Sequence, residues 1–469
     1  MTMSSFADRF RQARARRLAV TALAASLAGC AAAPSPQAAR PNIVILYADD
    51  LGWNDLACYA NAQHATPAID GLAAGGTRFT DAYAAAALCA PSRASLMTGR
   101  DVLAHGIYCI NDPETGHPES RRLDPPANRR RLPKELPTLA ETLRGAGYRT
   151  GCYGKWHLGQ DGTEVSEWHP LARGFEEAVQ TRSPSGKRRY FYPDFSTIPA
   201  VPIEAGTHMS DFVSAQATAF LDRDDGRPFF LYLPYFSVHG PREAKPASLR
   251  AAKARGLRGR AAVYAAMCAD LDAAVAVVLD ALEQRSLTEQ TIVVFASDNG
   301  GTVASDNAPL RAGKSWVYEG GVRTPLIVRW PGVTSPGTTC AQPVSQLDLF
   351  PTLCRAAGAE TDEGLDGRDI TPLLIGEEMP ARALRFHAPD YGSFRSGAFG
   401  RKPASAVRLG ALKLVYDHET QRSTLFDLKA DIAESRDVST RRRERAAAME
   451  AALLEWLEEA PMMLPRPRR

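Results

Sequence analysis

Apolar residues in this chain come in short unbroken runs rather than in strict alternation. Asn42-Ile43-Val44-Ile45-Leu46-Tyr47-Ala48 is a β-branched stretch that stops abruptly at Asp49-Asp50. Continuous runs of this kind mark strands buried on both faces of a parallel sheet. Thr291-Ile292-Val293-Val294-Phe295-Ala296-Ser297 repeats the pattern and stops at Asp298-Asn299, ahead of Gly300-Gly301. Tyr148 to Tyr153 predicts a shorter strand leading into Gly154-Lys155-Trp156-His157, and Phe229 to Leu233, continued by Tyr235 and Phe236, runs out at Ser237-Val238-His239. Helical patterns lie between these strands. One covers Thr138 to the glycine stop at Gly145 to Gly147, and another runs from Ala261 to Glu283 with Val263, Met267, Leu271, Val275, Val278 and Leu282 on its apolar stripe. The alternation predicts an α/β fold with a doubly wound, mostly parallel sheet. Ligands of such sheets gather outside the carboxyl ends of the strands, so runs that end in acidic, amide, lysine and histidine side chains predict one shared site.

From about residue 375 the texture changes. Ala406 to Tyr416 and Thr424 to Leu428 read as two strands around the polar turn His418-Glu419-Thr420, and Arg441 to Glu459 as an amphipathic helix. The expected organisation is a leader and tether over residues 1–40, an α/β domain over 41–375 and a smaller C-terminal α+β domain over 376–469. The basic stretch between Lys245 and Arg260 is poor in aromatics and reads as a solvated helix face or loop.

The N-terminus has the pattern of an address. Arg9, Arg11, Arg14, Arg16 and Arg17 precede an apolar run from Leu18 to Leu27, too short to span a bilayer and the right size for a signal-peptide core. Leu27-Ala28-Gly29-Cys30 resembles a bacterial lipobox. It predicts export and a membrane-anchored lipoprotein with lipid on Cys30, held in the periplasm or at the cell surface, with Ala31 to Arg40 as tether. A plain secretory leader, or a twin-arginine signal at Arg16-Arg17, is the alternative.

Composition narrows the classes. With 469 residues and 45% hydrophobic content the chain can bury a large core. A formal charge of +3, spread along the sequence, argues against nucleic acid as the main partner and leaves room for a small anionic substrate. The eight cysteines, Cys30, Cys58, Cys89, Cys109, Cys152, Cys268, Cys340 and Cys354, include no CxxC pair, which argues against a zinc ribbon or a thioredoxin-type centre. Most are expected to be buried thiols, although export permits a disulfide.

The most specific signal is Cys89-Ala90-Pro91-Ser92-Arg93-Ala94-Ser95-Leu96-Met97-Thr98-Gly99-Arg100. Pro91 suits the first turn of a helix, which puts residue 89 at a helix N-terminus where backbone N–H groups stabilise negative charge. Arg93, one turn on, adds a fixed cation. The pattern C-x-P-S-R followed by L-x-T-G-R resembles the signature of the type I sulfatases, of the alkaline phosphatase-like superfamily. The resemblance extends over residues 41 to 430. It implies that Cys89 is oxidised to formylglycine by a formylglycine-generating enzyme during maturation, and that the hydrated aldehyde is the nucleophile. It also implies that Asp49, Asp50, Asp298 and Asn299, together with Cys89, bind calcium. Hard oxygen ligands suit calcium or magnesium better than zinc.

The same resemblance assigns Lys155 and His157 to the neighbourhood of the formylglycine, and His239 and Lys314 to the sulfate and leaving group. The reaction it implies is sulfuryl transfer to one hydroxyl of the hydrate, with Arg93 and Lys155 holding the developing charge. His157 then takes the proton from the second hydroxyl to expel sulfate. Two other readings share these residues: a formylglycine-dependent phosphonate or phosphate ester hydrolase, and an inactive, surface-tethered glycan-binding relative. The expected substrate is a sulfated carbohydrate. Thr181 to Pro202 reads as a loop-like insertion rich in Tyr, Phe, Pro and Ser, and its Lys187-Arg188-Arg189 would attract neighbouring sulfates.

Overall fold

Each apolar run singled out above forms a strand, and four of them lie side by side. The structure, a computed structural model, describes residues 40–110, 121–159, 164–182, 190–392 and 401–468. Among these, nine strands build the central sheet: β1 (Asn42–Ala48), β2 (Thr77–Phe79), β3 (Arg149–Gly154), β4 (Glu177–Arg182), β5 (Ser196–Ile198), β6 (Phe229–Pro234), β7 (Thr291–Ser297), β8 (Leu326–Arg329) and β9 (Thr338–Cys340). Their spatial order is β9-β2-β8-β7-β1-β6-β3-β4-β5. Strands β7, β1, β6, β3 and β4 run parallel. The two flanks depart from this. β8 is antiparallel to both β7 and β2, and β5 is antiparallel to β4. The segment expected to be a loop from Thr181 therefore contributes an edge strand, β5, while residues 183–189 lie outside the described residues.

Because side chains alternate across a strand, β1 feeds two cores. Val44 and Leu46 pack with helices α1 (Pro67–Ala74), α4 (Met209–Leu221) and α5 (Gly259–Gln284). Ile43, Ile45 and Tyr47 pack with α2 (Cys89–Thr98), α3 (Leu139–Gly145) and α6 (Leu349–Ala357) on the other face. Helix α5 is long and apolar enough to cross a membrane by composition, but Met267, Leu271, Val275, Val278 and Leu282 are buried in the first of these cores. Helix α3 starts at a capping box. Thr138 Oγ1 accepts from the Glu141 N–H at 3.0 Å, Glu141 Oε2 accepts from the Thr138 N–H at 2.7 Å, and the Thr138 hydroxyl donates to the Arg173 carbonyl at 2.9 Å. After it, Gly147 takes φ +88°, and the chain turns into β3.

The C-terminal part is an antiparallel sheet of β10 (Ala383–Ala388), β11 (Ala404–Leu409), β12 (Leu412–Asp417) and β13 (Arg422–Asp427), in that order. The run Ala406 to Tyr416, expected as one strand, is two. Gly410, at φ +60°, turns the chain between apolar positions that continue on both sides, which hides the break from the hydrophobic pattern. Helix α7 (Arg443–Glu458) lays Met449, Leu453 and Trp456 against Val407, Leu414 and Leu425. The seven described cysteines are free thiols.

Thr138→Ala removes the cap of α3 and leaves the buried Arg173 carbonyl without its donor. The expected loss is about 1–2 kcal/mol of stability. It is read as a lower urea midpoint at unchanged slope.

Candidate active site

Backbone hydrogen bonds continue past the strand ends and aim the residues that follow. The Asp49 N–H donates to the Ser237 carbonyl at 2.9 Å, the Val238 N–H returns to the Asp49 carbonyl at 2.7 Å, and the Asp298 N–H donates to the Ala48 carbonyl at 3.1 Å. The Lys155 N–H donates to the Pro234 carbonyl at 2.7 Å. β1 thus delivers Asp49 and Asp50, β7 delivers Asp298 and Asn299, β3 delivers Lys155 and His157, and β6 delivers His239, all at one edge of the sheet. Asp50 and His157 sit at φ +65° and +66°, a left-handed conformation that turns each side chain off the line of its strand. Helix α2 begins at Cys89, which is fully buried, with Pro91 in its first turn.

The charges interlock. Arg93 donates through Nε and Nη2 to Asp298 Oδ2 at 2.9 and 2.7 Å and through Nη1 to the Lys155 carbonyl at 2.7 Å. Its Nη2 is also 3.7 Å from Asp49 Oδ2. Lys155 pairs with Asp49. Lys314 Nζ lies 2.6 Å from Asp50 Oδ1 and 3.1 Å from Cys89 Sγ, and Cys89 Sγ lies 3.5 Å from Asp49 Oδ1. His239 Nε2 is 3.7 Å from Asp50 Oδ2, while its Nδ1 is 2.6 Å from the Gly240 carbonyl. A carbonyl only accepts, so Nδ1 carries a proton. Asn299 Nδ2 donates to Asp50 Oδ1 and to the Gly300 carbonyl, both at 2.9 Å. Its Oδ1 is buried with no hydrogen-bond partner, as is His157 Nδ1.

Burial and these neighbours set the protonation states. Burial alone would raise the Asp49 carboxyl, but Lys155, His239, Arg93 and Lys314 together hold it well below the usual range. Asp50 is also lowered: burial is outweighed by Lys314, with help from His239. Burial, reinforced by Asp49, pushes Asp298 up to about 6 despite Arg93. Burial pushes the Cys89 thiol up to about 12 against the pull of Lys155 and Lys314. His157 is driven well below its ordinary value by burial and then by Lys155 and Arg93. His239 falls to about 4 through burial, opposed by Asp50 and Asp49.

All the residues singled out from the sequence, Asp49, Asp50, Cys89, Arg93, Lys155, His157, His239, Asp298, Asn299 and Lys314, therefore fall in one site. Ligating atoms of Asp49, Asp50, Cys89 and His239 lie within 4.8 Å of one another, which adds His239 to the residues next to the candidate cation position. Sequence reasoning missed Tyr190. Its hydroxyl is 2.6 Å from the His239 carbonyl and 3.0 Å from that of Phe236, bracing the turn that carries His239. No local signal marks it, because its partners are backbone atoms from a distant strand end. Lys187, Arg188, Arg189 and Cys30 lie outside the described residues.

The chain matches the sulfatase family model over residues 41–359, and the model for the C-terminal region of N-sulphoglucosamine sulphohydrolase over residues 312–460. It is 36% identical to human arylsulfatase A over 450 residues, covering 89% of this chain and 81% of that protein. It is 33% identical to the N-acetylgalactosamine-6-sulfatase of the dog, covering 78% of this chain and 72% of that protein. The crystal structure of Ps i-CgsB in complex with k-i-k-neocarrahexaose superposes with a TM-score of 0.76 at 30% identity, covering 89% of this chain and 92% of that one. The phosphonate monoester hydrolase of Agrobacterium radiobacter, at a TM-score of 0.63 and 22% identity, shares the fold, covering 92% of this chain and 100% of its own. A family model spanning most of the chain, and relatives this similar over most of their length, make this chain a member of the sulfatase family and a hydrolase of sulfate esters.

Proposed function

We propose that this sulfatase acts on sulfated carbohydrates, through a formylglycine made from Cys89 and with a calcium ion. The observation that carries the reading is a fully buried Cys89 at the N-terminus of α2, with the Lys314 ammonium 3.1 Å from its sulfur and Asp49 and Asp50 alongside. As a cysteine this residue is a poor nucleophile, since a thiol pushed up to about 12 stays protonated near neutrality. Conversion to the aldehyde removes that obstacle. The orphaned Asn299 Oδ1 and the carboxylates of Asp49, Asp50 and Asp298 form a hard oxygen set that fits calcium. When present, calcium supplies a Lewis acid for a sulfate oxygen, and hydrated formylglycine supplies two hydroxyls on one carbon.

The remaining chemistry belongs to the chain's own groups. The helix N-terminus and the Lys155 ammonium stabilise negative charge developing at residue 89, with Arg93 behind them fixing Asp298. His157, kept neutral by burial and by neighbouring cations, is competent to accept a proton. Lys314, held cationic against burial chiefly by Asp50, grips the sulfate and faces the departing oxygen together with His239. With Nδ1–H committed to Gly240, His239 Nε2 donates to that oxygen only when the ring is protonated.

The carbohydrate assignment draws on Ps i-CgsB, bound to k-i-k-neocarrahexaose, and on the names of the sugar-directed relatives. Export with lipid on Cys30 and maturation by a formylglycine-generating enzyme complete the reading. An enzyme tethered at the cell surface meets extracellular polymers.

Cys89→Ser offers one hydroxyl where elimination of sulfate needs two, so steady-state turnover is expected to fall by about 10⁴-fold or more. Peptide mass analysis of active wild-type material should show the aldehyde at residue 89, and finding only unmodified cysteine there would refute the assignment. Asp50→Ala deletes a carboxylate ligand and should lower bound calcium and kcat together, by more than about 100-fold in activity. Elemental analysis beside kinetics checks it, and full activity in metal-stripped variant protein contradicts it. Across a panel of defined sulfated saccharides at least one should be desulfated with a higher kcat/KM than a simple aryl sulfate. Activity on the aryl ester alone removes the carbohydrate assignment and leaves the sulfatase chemistry intact.

A further inference from the structure

The C-terminal sheet reaches the active site through a buried ion cluster. Lys413 on β12 has no exposed surface, and its ammonium lies 2.9 Å from Glu319 Oε1 and 3.1 Å from Glu434 Oε1, both on side chains that are themselves fully buried. The second oxygen of Glu434 accepts the Glu319 N–H at 2.7 Å. The second oxygen of Glu319 accepts the Tyr83 hydroxyl at 2.6 Å and meets Arg323 at 3.3 Å. Removing such charges from water costs several kcal/mol per ion, so a cluster of this kind is weak evidence for stabilisation and better evidence for fixing one arrangement.

What it fixes is the segment that carries Lys314. Arg311 stacks on Tyr318 at 3.9 Å and donates to the Glu434 carbonyl at 2.9 Å. The Gly320 N–H, next to Glu319, donates to the Arg311 carbonyl at 3.0 Å, and the Lys314 N–H donates to the Gly301 carbonyl at 2.9 Å. The Gly300 N–H in turn donates to the Gly321 carbonyl at 2.9 Å. A Cβ on Gly300 would sit 2.0 Å from the Gly320 oxygen, and one on Gly313 2.5 Å from the Gly301 oxygen, so the two loops touch backbone to backbone. The Lys314 loop is thus pinned on one side to the strand end bearing Asp298 and Asn299. On the other side it is pinned to a carboxylate that the C-terminal region neutralises.

We propose that Lys413 and Glu434 are positioning residues, which hold Lys314 at the point where the leaving oxygen departs by clamping Glu319 and Arg311. This rests on the reading of Lys314 as the cation at that oxygen. It assigns the C-terminal sheet a share in leaving-group stabilisation that acts through the buried Lys413 rather than by direct contact.

Leaving-group sensitivity tests the clamp. In the full chain, Lys413→Met, Glu434→Gln and Arg311→Ala are compared with wild type on a sugar or alkyl sulfate, a poor leaving group, and on 4-nitrophenyl sulfate, whose phenolate departs without help. Lys413→Met and Glu434→Gln should lose about 10- to 100-fold in kcat/KM on the sugar sulfate and less than about 3-fold on the aryl ester, at unchanged calcium content. Arg311→Ala should show the same selectivity with a smaller loss. Its side chain is exposed, so this variant decides the matter if the buried changes prevent folding. Equal losses on both esters, or none on either, overturn the clamp. Lys314→Ala separates the two claims: if it is selective while the folded clamp variants behave as wild type, the clamp alone fails. If Lys314→Ala loses both esters equally, Lys314 serves the sulfate alone, and its role at the leaving oxygen fails together with the clamp.

Discussion

The constraint on which this structure turns is charge compensation at the carboxyl edge of the sheet. Asp49, Asp50 and Asp298 are all buried at the ends of two adjacent parallel strands. Carboxylates that close in a low-dielectric setting repel one another and lose hydration, so they persist only where cations reach them. Here the cations come from three places: Arg93 from the first turns of α2, Lys155 from the end of β3, and Lys314 from the loop after β7. No local segment could satisfy this demand. The order β7-β1-β6-β3, the placement of α2 and the pinning of the Lys314 loop are all required before the acidic pair is tolerable.

The same arrangement defines the chemistry. A site that holds the Asp49 and Asp50 carboxylates ionised and Lys314 protonated, with His157 neutral, is laid out for an anionic ester. The thiol of Cys89 is held in a state that runs against that use, because burial outweighs the neighbouring lysines and keeps it protonated. This conflict between position and reactivity is the physical case for a modified residue there. A geminal diol needs no deprotonated sulfur, and the N-terminus of α2 already favours negative charge at that atom.

The architecture around the site divides labour by distance. Helices on both faces bury β1 and β7 so completely that their ends have little freedom. Tyr190 braces the His239 turn through two backbone carbonyls, and Lys413 with Glu434 braces the Lys314 loop through Glu319 and Arg311. His239 and Lys314, the two groups proposed to meet the departing oxygen, are therefore the ones supported from outside the parallel sheet. That suits residues on loops, which otherwise lack the ladder that fixes Asp49 or Lys155.

Much of this was legible along the chain because the information is local. Unbroken β-branched runs, such as Ile43 to Leu46 and Ile292 to Phe295, have no solvent face to satisfy and so announce a buried parallel sheet. The residues just beyond a strand end are where such a sheet places its site, which is why Asp49, Asp50, Asp298, Asn299, Lys155 and His157 stand out in the sequence. The Cys89 to Arg100 motif added the candidate nucleophile. What depends on packing across long sequence separations was invisible. Gly410 interrupts an apolar pattern that continues on both sides, so two strands read as one, and the edge strand Ser196–Ile198 owes its form to its partner β4 rather than to its own residues. Tyr190, Glu319, Lys413 and Glu434 carry no motif, since each acts through partners that only the tertiary fold brings near. The sequence determined which chemistry the strand ends offer; the tertiary structure decided how their charges balance, because compensation at Asp49 and Asp50 is a sum over elements that meet only once the chain has folded.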